Sequence, residues 1–158
     1  MAEPTIFESP QAMLEAFQAA GEEGIDLGKT DWYSMEQQRI NDFADCARDD
    51  QWIHVDVERA KDSPFGGTIA HGYLTVAHCA PMMFALMQVE NIAMGVNAGM
   101  NRVRFLAPVP SGGKIRGHGK LTNVEERKGQ FQATVVITIE IDGNETPACI
   151  AETLSNFV

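Results

Sequence analysis

The sequence predicts an α+β fold in which one curved antiparallel sheet wraps a central helix. Two observations carry that expectation. The run LTVAHCAPMMFALM after Gly72 is apolar on every side, which suits a helix buried all round. From Met100 onward the period changes to alternation of apolar and polar residues, in four segments separated by Pro/Gly turns. A buried helix followed by consecutive strands is the order of an α+β domain, not of repeated βαβ units.

The elements follow in chain order. Ser9 and Pro10 form a cap and a first helical position, and Met13, Leu14 and Phe17 continue at helical spacing up to Gly21, predicting a short peripheral helix. An extended segment runs from about Leu27 to Tyr33. Ser34 with Gln37 reads as a capping box, and Ile40, Phe43, Ala44 and Ala47 share one face of a second helix that ends near Arg48. Asp49 to Gly67 is irregular, a long loop with one helical turn after Asp56. Pro81 inside the apolar run removes a helix hydrogen bond, so a bend or break is expected between Ala77 and Pro81. The strands are Met100 to Ala107, Lys114 to Glu126, Phe131 to Ile141 and Cys149 to Val158.

With 158 residues, 44% hydrophobic and 22% charged, the chain suits one globular core and is far from the composition of disorder. The division expected is an N-terminal helical extension, residues 1–24, and one domain, residues 25–158. A formal net charge of -10 argues against a nucleic-acid partner, because phosphate backbones need a basic face. A small anionic ligand needs only a local cluster. Arg102, Arg104, Lys114 and Arg116 can supply one, unless they are solvated charges on exposed strands. Cys46, Cys79 and Cys149 show no paired spacing and read as reduced core residues. No secretory pattern and no membrane-length apolar run is present, so a cytoplasmic location without membrane contact is expected. No Gly-rich phosphate loop occurs, and His54 with Asp56, or His71 with His78, falls short of a zinc ligand set; neither cofactor nor metal is expected.

The segment FADCARDDQWIHVDVERAKDSPFGGTIAHGYLT carries the chemistry. Asp49 stands five residues before His54, with His71 and Gly72 downstream. This resembles the MaoC-like dehydratases and (R)-specific enoyl-CoA hydratases, whose pattern is G-D-x-N-P-x-H followed by H-G. The likeness extends less sharply through VRFLAPVPSGGKI and the later strands, over roughly residues 25–158. Arg48, Gln51 and Trp52 depart from the pattern, and Ala80 stands where many members carry a serine bonded to the acid.

The resemblance implies a hot-dog fold, a homodimer paired through sheet edges, and hydration of a trans-2-enoyl-CoA to the (R)-3-hydroxyacyl thioester, or the reverse. Such a reaction needs a water at C3, a proton at C2 and a stabilised enolate oxygen. Asp49 and a neutral His54 sharing one water fill the acid/base roles. The Gly72 N–H at the start of the buried helix serves the oxygen, and the four basic residues meet the CoA phosphates. Thioester hydrolysis on the same fold, or an acyl-thioester accessory protein, are the alternatives. Asp50 competes with Asp49 but should point away, His71 is expected to be structural, and His118 to be exposed.

Overall fold

Residues 3–158 are described by a computed structural model. Its main sheet has six strands: β2 Ile25–Lys29, β3 Tyr33–Met35, β5 Gly95–Phe105, β6 Gly113–Arg127, β7 Gln130–Ile141 and β8 Cys149–Phe157, with a short β4 Met87–Val89 outside it. The order is β2-β6-β7-β8-β5, antiparallel throughout, with β3 following β2 along the same edge of β6. The four long alternating segments are thus strands as expected, and the α+β reading holds.

Alternation decides the two faces of this sheet. Ile115, Gly117, Gly119 and Leu121 of β6 lie opposite Ile141, Ile139, Ile137 and Val135 of β7, and these opposite Cys149, Ala151 and Thr153 of β8. All are buried, and all but Thr153 are apolar, so they form one nearly continuous apolar surface. Against it packs the apolar run, as α5 Gly72–Ala77 and α6 Cys79–Leu86. The break falls at His78, within the expected interval: Pro81 has no N–H to give Ala77, so the helix restarts with Pro81 in its first turn, where that donor would have no partner anyway. Gly117 and Gly119 let α6 approach. A Cβ on Gly117 would stand 2.8 Å from the Met82 sulfur, and one on Gly119 2.7 Å from a Leu86 methyl.

The helix is not buried all round. Tyr73, Ala77, Ala80 and Phe84, at helical spacing, remain exposed, Tyr73 at 77%. The sheet covers only one side of α5 and α6 and leaves an apolar stripe open. The outer edge of β5 is also unpaired among the described residues.

At the N-terminus, β1 Thr5–Phe7 pairs in parallel with β4. α1 Pro10–Ala20 starts as expected, with the Ser9 hydroxyl accepting from the Ala12 N–H at 3.1 Å. It is less peripheral than its sequence suggested, since Met13 is fully buried in the core. α2 Gln37–Ala47 ends at Arg48 as expected, but it is capped by Glu36 and no side chain bonds its first turn. The capping box does not form, because Ser34 is held in β3 against Lys114. The expected loop contains two helical turns, α3 Trp52–Val55 and α4 Val57–Ala60; the second is the turn anticipated after Asp56, whose side chain caps it, and the first was not anticipated. Cys79 and Cys149 are buried and unpaired, whereas Cys46 is exposed on the outer side of α2. No described helix is long and apolar enough to cross a membrane.

Replacing Gly117 with Val should force Met82 out of its seat and destabilise the protein by about 1–3 kcal/mol. The check is urea unfolding, with a lower midpoint at unchanged slope expected. A wild-type midpoint would show that α6 is not pressed onto β6.

Candidate active site

α2 stops because Arg48 adopts the left-handed conformation, φ 57°. The turn folds Asp49 back so that its N–H donates to the Ala44 carbonyl at 3.0 Å, leaving the carboxylate exposed. One helical turn later, α3 carries His54 inward to 7% exposure. The His54 Nδ1 lies 2.7 Å from the Ile69 carbonyl. A carbonyl can only accept, so Nδ1 carries the proton and Nε2 keeps its lone pair. The Ile69 N–H donates to the Ile53 carbonyl at 3.0 Å, locking the two segments together.

Burial pushes the His54 pKa below the ordinary histidine value; the Ile69 bond and the Asp49 charge pull it upward, while His71 adds to the depression. His54 is therefore a neutral base at pH 7.

His71 completes the group. Its Nε2 lies 2.9 Å from the Asp49 backbone carbonyl, and its ring stacks on His54 with centroids 3.8 Å apart at 24°. The Phe43 ring lies against it, tilted by 56° with centroids 5.0 Å apart. Donor atoms of Asp49, His54 and His71 all fall within 4.8 Å of one another, which raises the question of a metal. A bound ion must lie about 2 Å from each nitrogen and near each ring plane. Two rings stacked face to face offer no such point, so this arrangement suits proton chemistry and not ligation.

His54, Phe65, Ile69, Gly72, Phe105 and Leu106 line an open cleft of about 330 Å³. Gly72 is the first residue of α5, where its N–H has no partner inside the helix. A Cβ there would come within 3.0 Å of the Phe105 ring. The chain thus brings Asp49, His54 and Gly72 to one locality.

It does not bring the four basic residues together. Arg102 and Arg104 stand opposite Glu152 and Ile150 on β8, and Lys114 and Arg116 lie on β6, with β7 and β8 between the two pairs. All four project from the outer face of the sheet, away from α6. Arg116 is bonded to Glu140 at 2.7 Å and stacks over Trp32. Arg102 and Arg104 line a groove with Leu106, the residue that also borders the cleft.

Asp50 is exposed. His118 is partly exposed and bonded to Asp26 at 2.9 Å. Burial pushes the Cys79 thiol up to about 12 and Cys149 to about 11, which rules out a ready thiolate. Ala80 lies on the open stripe and holds nothing.

Gln37 is the residue that sequence reasoning misplaced. Its amide nitrogen donates to the His54 carbonyl at 2.7 Å, and its oxygen accepts from the Thr68 hydroxyl. It braces the site from a helix whose cap it was expected to make. Its partners lie 17 and 31 residues away, a separation that no local pattern signals.

Comparison with known proteins shows the family and the fold. Residues 18–143 match the family model described as MaoC like domain. The chain is 42% identical to 3-hydroxyacyl-thioester dehydratase Z of Mycobacterium tuberculosis, covering 94% of this chain and 97% of that protein. It is also 42% identical to Nodulation protein N of Rhizobium leguminosarum bv. viciae, over 81% of each. Among solved structures, the (R)-hydratase from A. caviae involved in PHA biosynthesis superimposes with a TM-score of 0.70 at 20% identity, covering 85% of this chain and 95% of that one, which makes the fold the hot-dog fold.

His54 and His78 are both buried and both held below the ordinary histidine pKa, chiefly by burial. The unfolded chain binds protons at these positions before the folded one does. Stability present above about pH 6.5 should therefore fall as pH drops from there toward the folded values. Urea midpoints between pH 7 and 5 check this, a window above the range where Asp26 and Glu140 titrate. A flat profile would mean neither histidine is held neutral.

Proposed function

The chain belongs to the MaoC-like dehydratase family, and on that premise we propose that it hydrates a trans-2-enoyl thioester of CoA to the (R)-3-hydroxyacyl thioester, or catalyses the reverse dehydration. Two observations together carry the reading: donor atoms of Asp49 and His54 lie within 4.8 Å of one another, and His54 and Gly72 line the same cleft. In the hydration direction His54 Nε2 takes a proton from water as the oxygen attacks C3. Electron density moves to the thioester oxygen, which the Gly72 N–H stabilises, and C2 receives a proton through the Asp49/His54 pair. The reaction is redox-neutral and needs only water as co-reactant.

The thioester lies in the cleft and its CoA phosphates follow the groove at Arg102 and Arg104, which adjoins the cleft through Leu106. Lys114 and Arg116 face another part of the sheet, so Arg102 and Arg104 are the stronger anchors. The open stripe of α5 and α6 and the free edge of β5 suit pairing with a second copy, giving a homodimer; a cytoplasmic location fits the CoA substrate.

The test follows loss of enoyl absorbance with purified protein and crotonyl-CoA. Asp49→Asn and His54→Ala should each lower kcat by about 10²–10⁴, and the double variant should lose no more than the worse single, because both groups hold one water. A double loss equal to the product of the singles would contradict a shared water. Binding of crotonyl-CoA without turnover would favour the accessory reading. Gly72→Ala should displace the Phe105 ring and tilt the amide, lowering kcat by about 10²-fold or more; a folded variant with wild-type kcat would remove Gly72 from the mechanism.

A further inference from the structure

The reaction as derived uses Asp49, His54 and Gly72 and leaves one buried titratable group unexplained. His71 is 2% exposed, and its Nδ1 is a fully buried side-chain nitrogen or oxygen with no hydrogen-bond partner among the described residues. Buried acceptors without a partner are uncommon and costly, and an apolar ring would fill the space beside Phe43 without that cost. Something must favour an imidazole.

The Nε2 side provides the reason. The Asp49 carbonyl it meets can only accept, so His71 carries its proton on Nε2 and its lone pair on Nδ1. The Asp49 peptide is then held at both ends, its N–H by the Ala44 carbonyl and its C=O by His71. Among the described residues no hydrogen bond fixes the exposed carboxylate itself, and Ala80 has no group to offer. The same ring lies face to face with His54 and restricts the tilt of the general base. One side chain therefore touches both members of the pair.

We propose that His71 is the positioning residue of the Asp49/His54 pair, its Nε2–H fixing the Asp49 backbone and its ring face fixing the plane of His54. The proposal rests on the hydration reading for its kinetic consequence but not for its geometry. The donor side is the part an amide can replace: a glutamine can bring its Nε2 close to the same carbonyl, whereas phenylalanine keeps a flat ring and loses the donor.

Two measurements test it. In kinetics with crotonyl-CoA, His71→Phe should lower kcat by about 10²-fold with KM nearly unchanged, the scale expected when reacting groups are misplaced by about 1 Å. His71→Gln should recover most of that loss. Retention of the wild-type melting temperature in each variant separates positioning from folding. Equal kcat in the Phe variant and wild type, or no better rate in Gln than in Phe, would overturn the donor role.

The second measurement does not depend on turnover. The chain has 4 histidines, so the imidazole ¹⁵N resonances can be assigned by single replacements. At pH 7 His71 should show a protonated Nε2 and a bare Nδ1, and His54 the opposite. A His71 with a bare Nε2 would overturn the proposal. If the wild-type protein failed to hydrate any enoyl thioester while these tautomers were found, the proposed reaction would fall and the placement of His71 would stand.

Discussion

The site depends on the hydrogen bond from His54 Nδ1 to the Ile69 carbonyl. It selects the tautomer that leaves Nε2 free, and it ties α3 to the segment leading into α5. That segment is itself anchored: Ala70 donates to the Val109 carbonyl and Ser111 to the Thr68 carbonyl, so the Ile69 carbonyl is set against the β5–β6 connection. Gln37 braces the same two segments from α2. A residue drawn from an irregular stretch is thus fixed by groups on several elements, none of them adjacent in sequence.

The sheet and helix supply the other half. Glycines on β6 bring α6 close to the strands, and the break at His78 lets α5 run on without losing contact with the core. The first residue of α5 then presents its amide at the cleft that His54 borders. Placing a neutral base and the first amide of α5 at one cleft requires only that these two tethered segments keep their register. Burial makes the base neutral, and the exposed Asp49 supplies the charge that burial would oppose.

Much of this was legible in the sequence where the signal is local or periodic. The cap of α1, the end of α2 at Arg48, the break near Pro81 and the alternating strands all follow from short-range chemistry, and Asp49, His54 and Gly72 were drawn together by their resemblance to a known pattern. Failures came where long-range pairing overrides a local pattern. Ser34 and Gln37 have capping-box spacing, but strand pairing claims Ser34 and the site claims Gln37. Arg104 and Lys114 are near in sequence, yet the strand order places β7 and β8 between them. An all-apolar helix looks fully buried, although one of its faces is open within a single chain.

The central claim is that His54 acts as a neutral base whose burial lowers its pKa. The pH profile of kcat/KM for crotonyl-CoA hydration tests it most directly, because its acid limb reports the essential base of the free enzyme. The account predicts an acid limb whose midpoint lies below the ordinary histidine value of about 6.5. An acid limb at or above that value would contradict a buried, neutral His54.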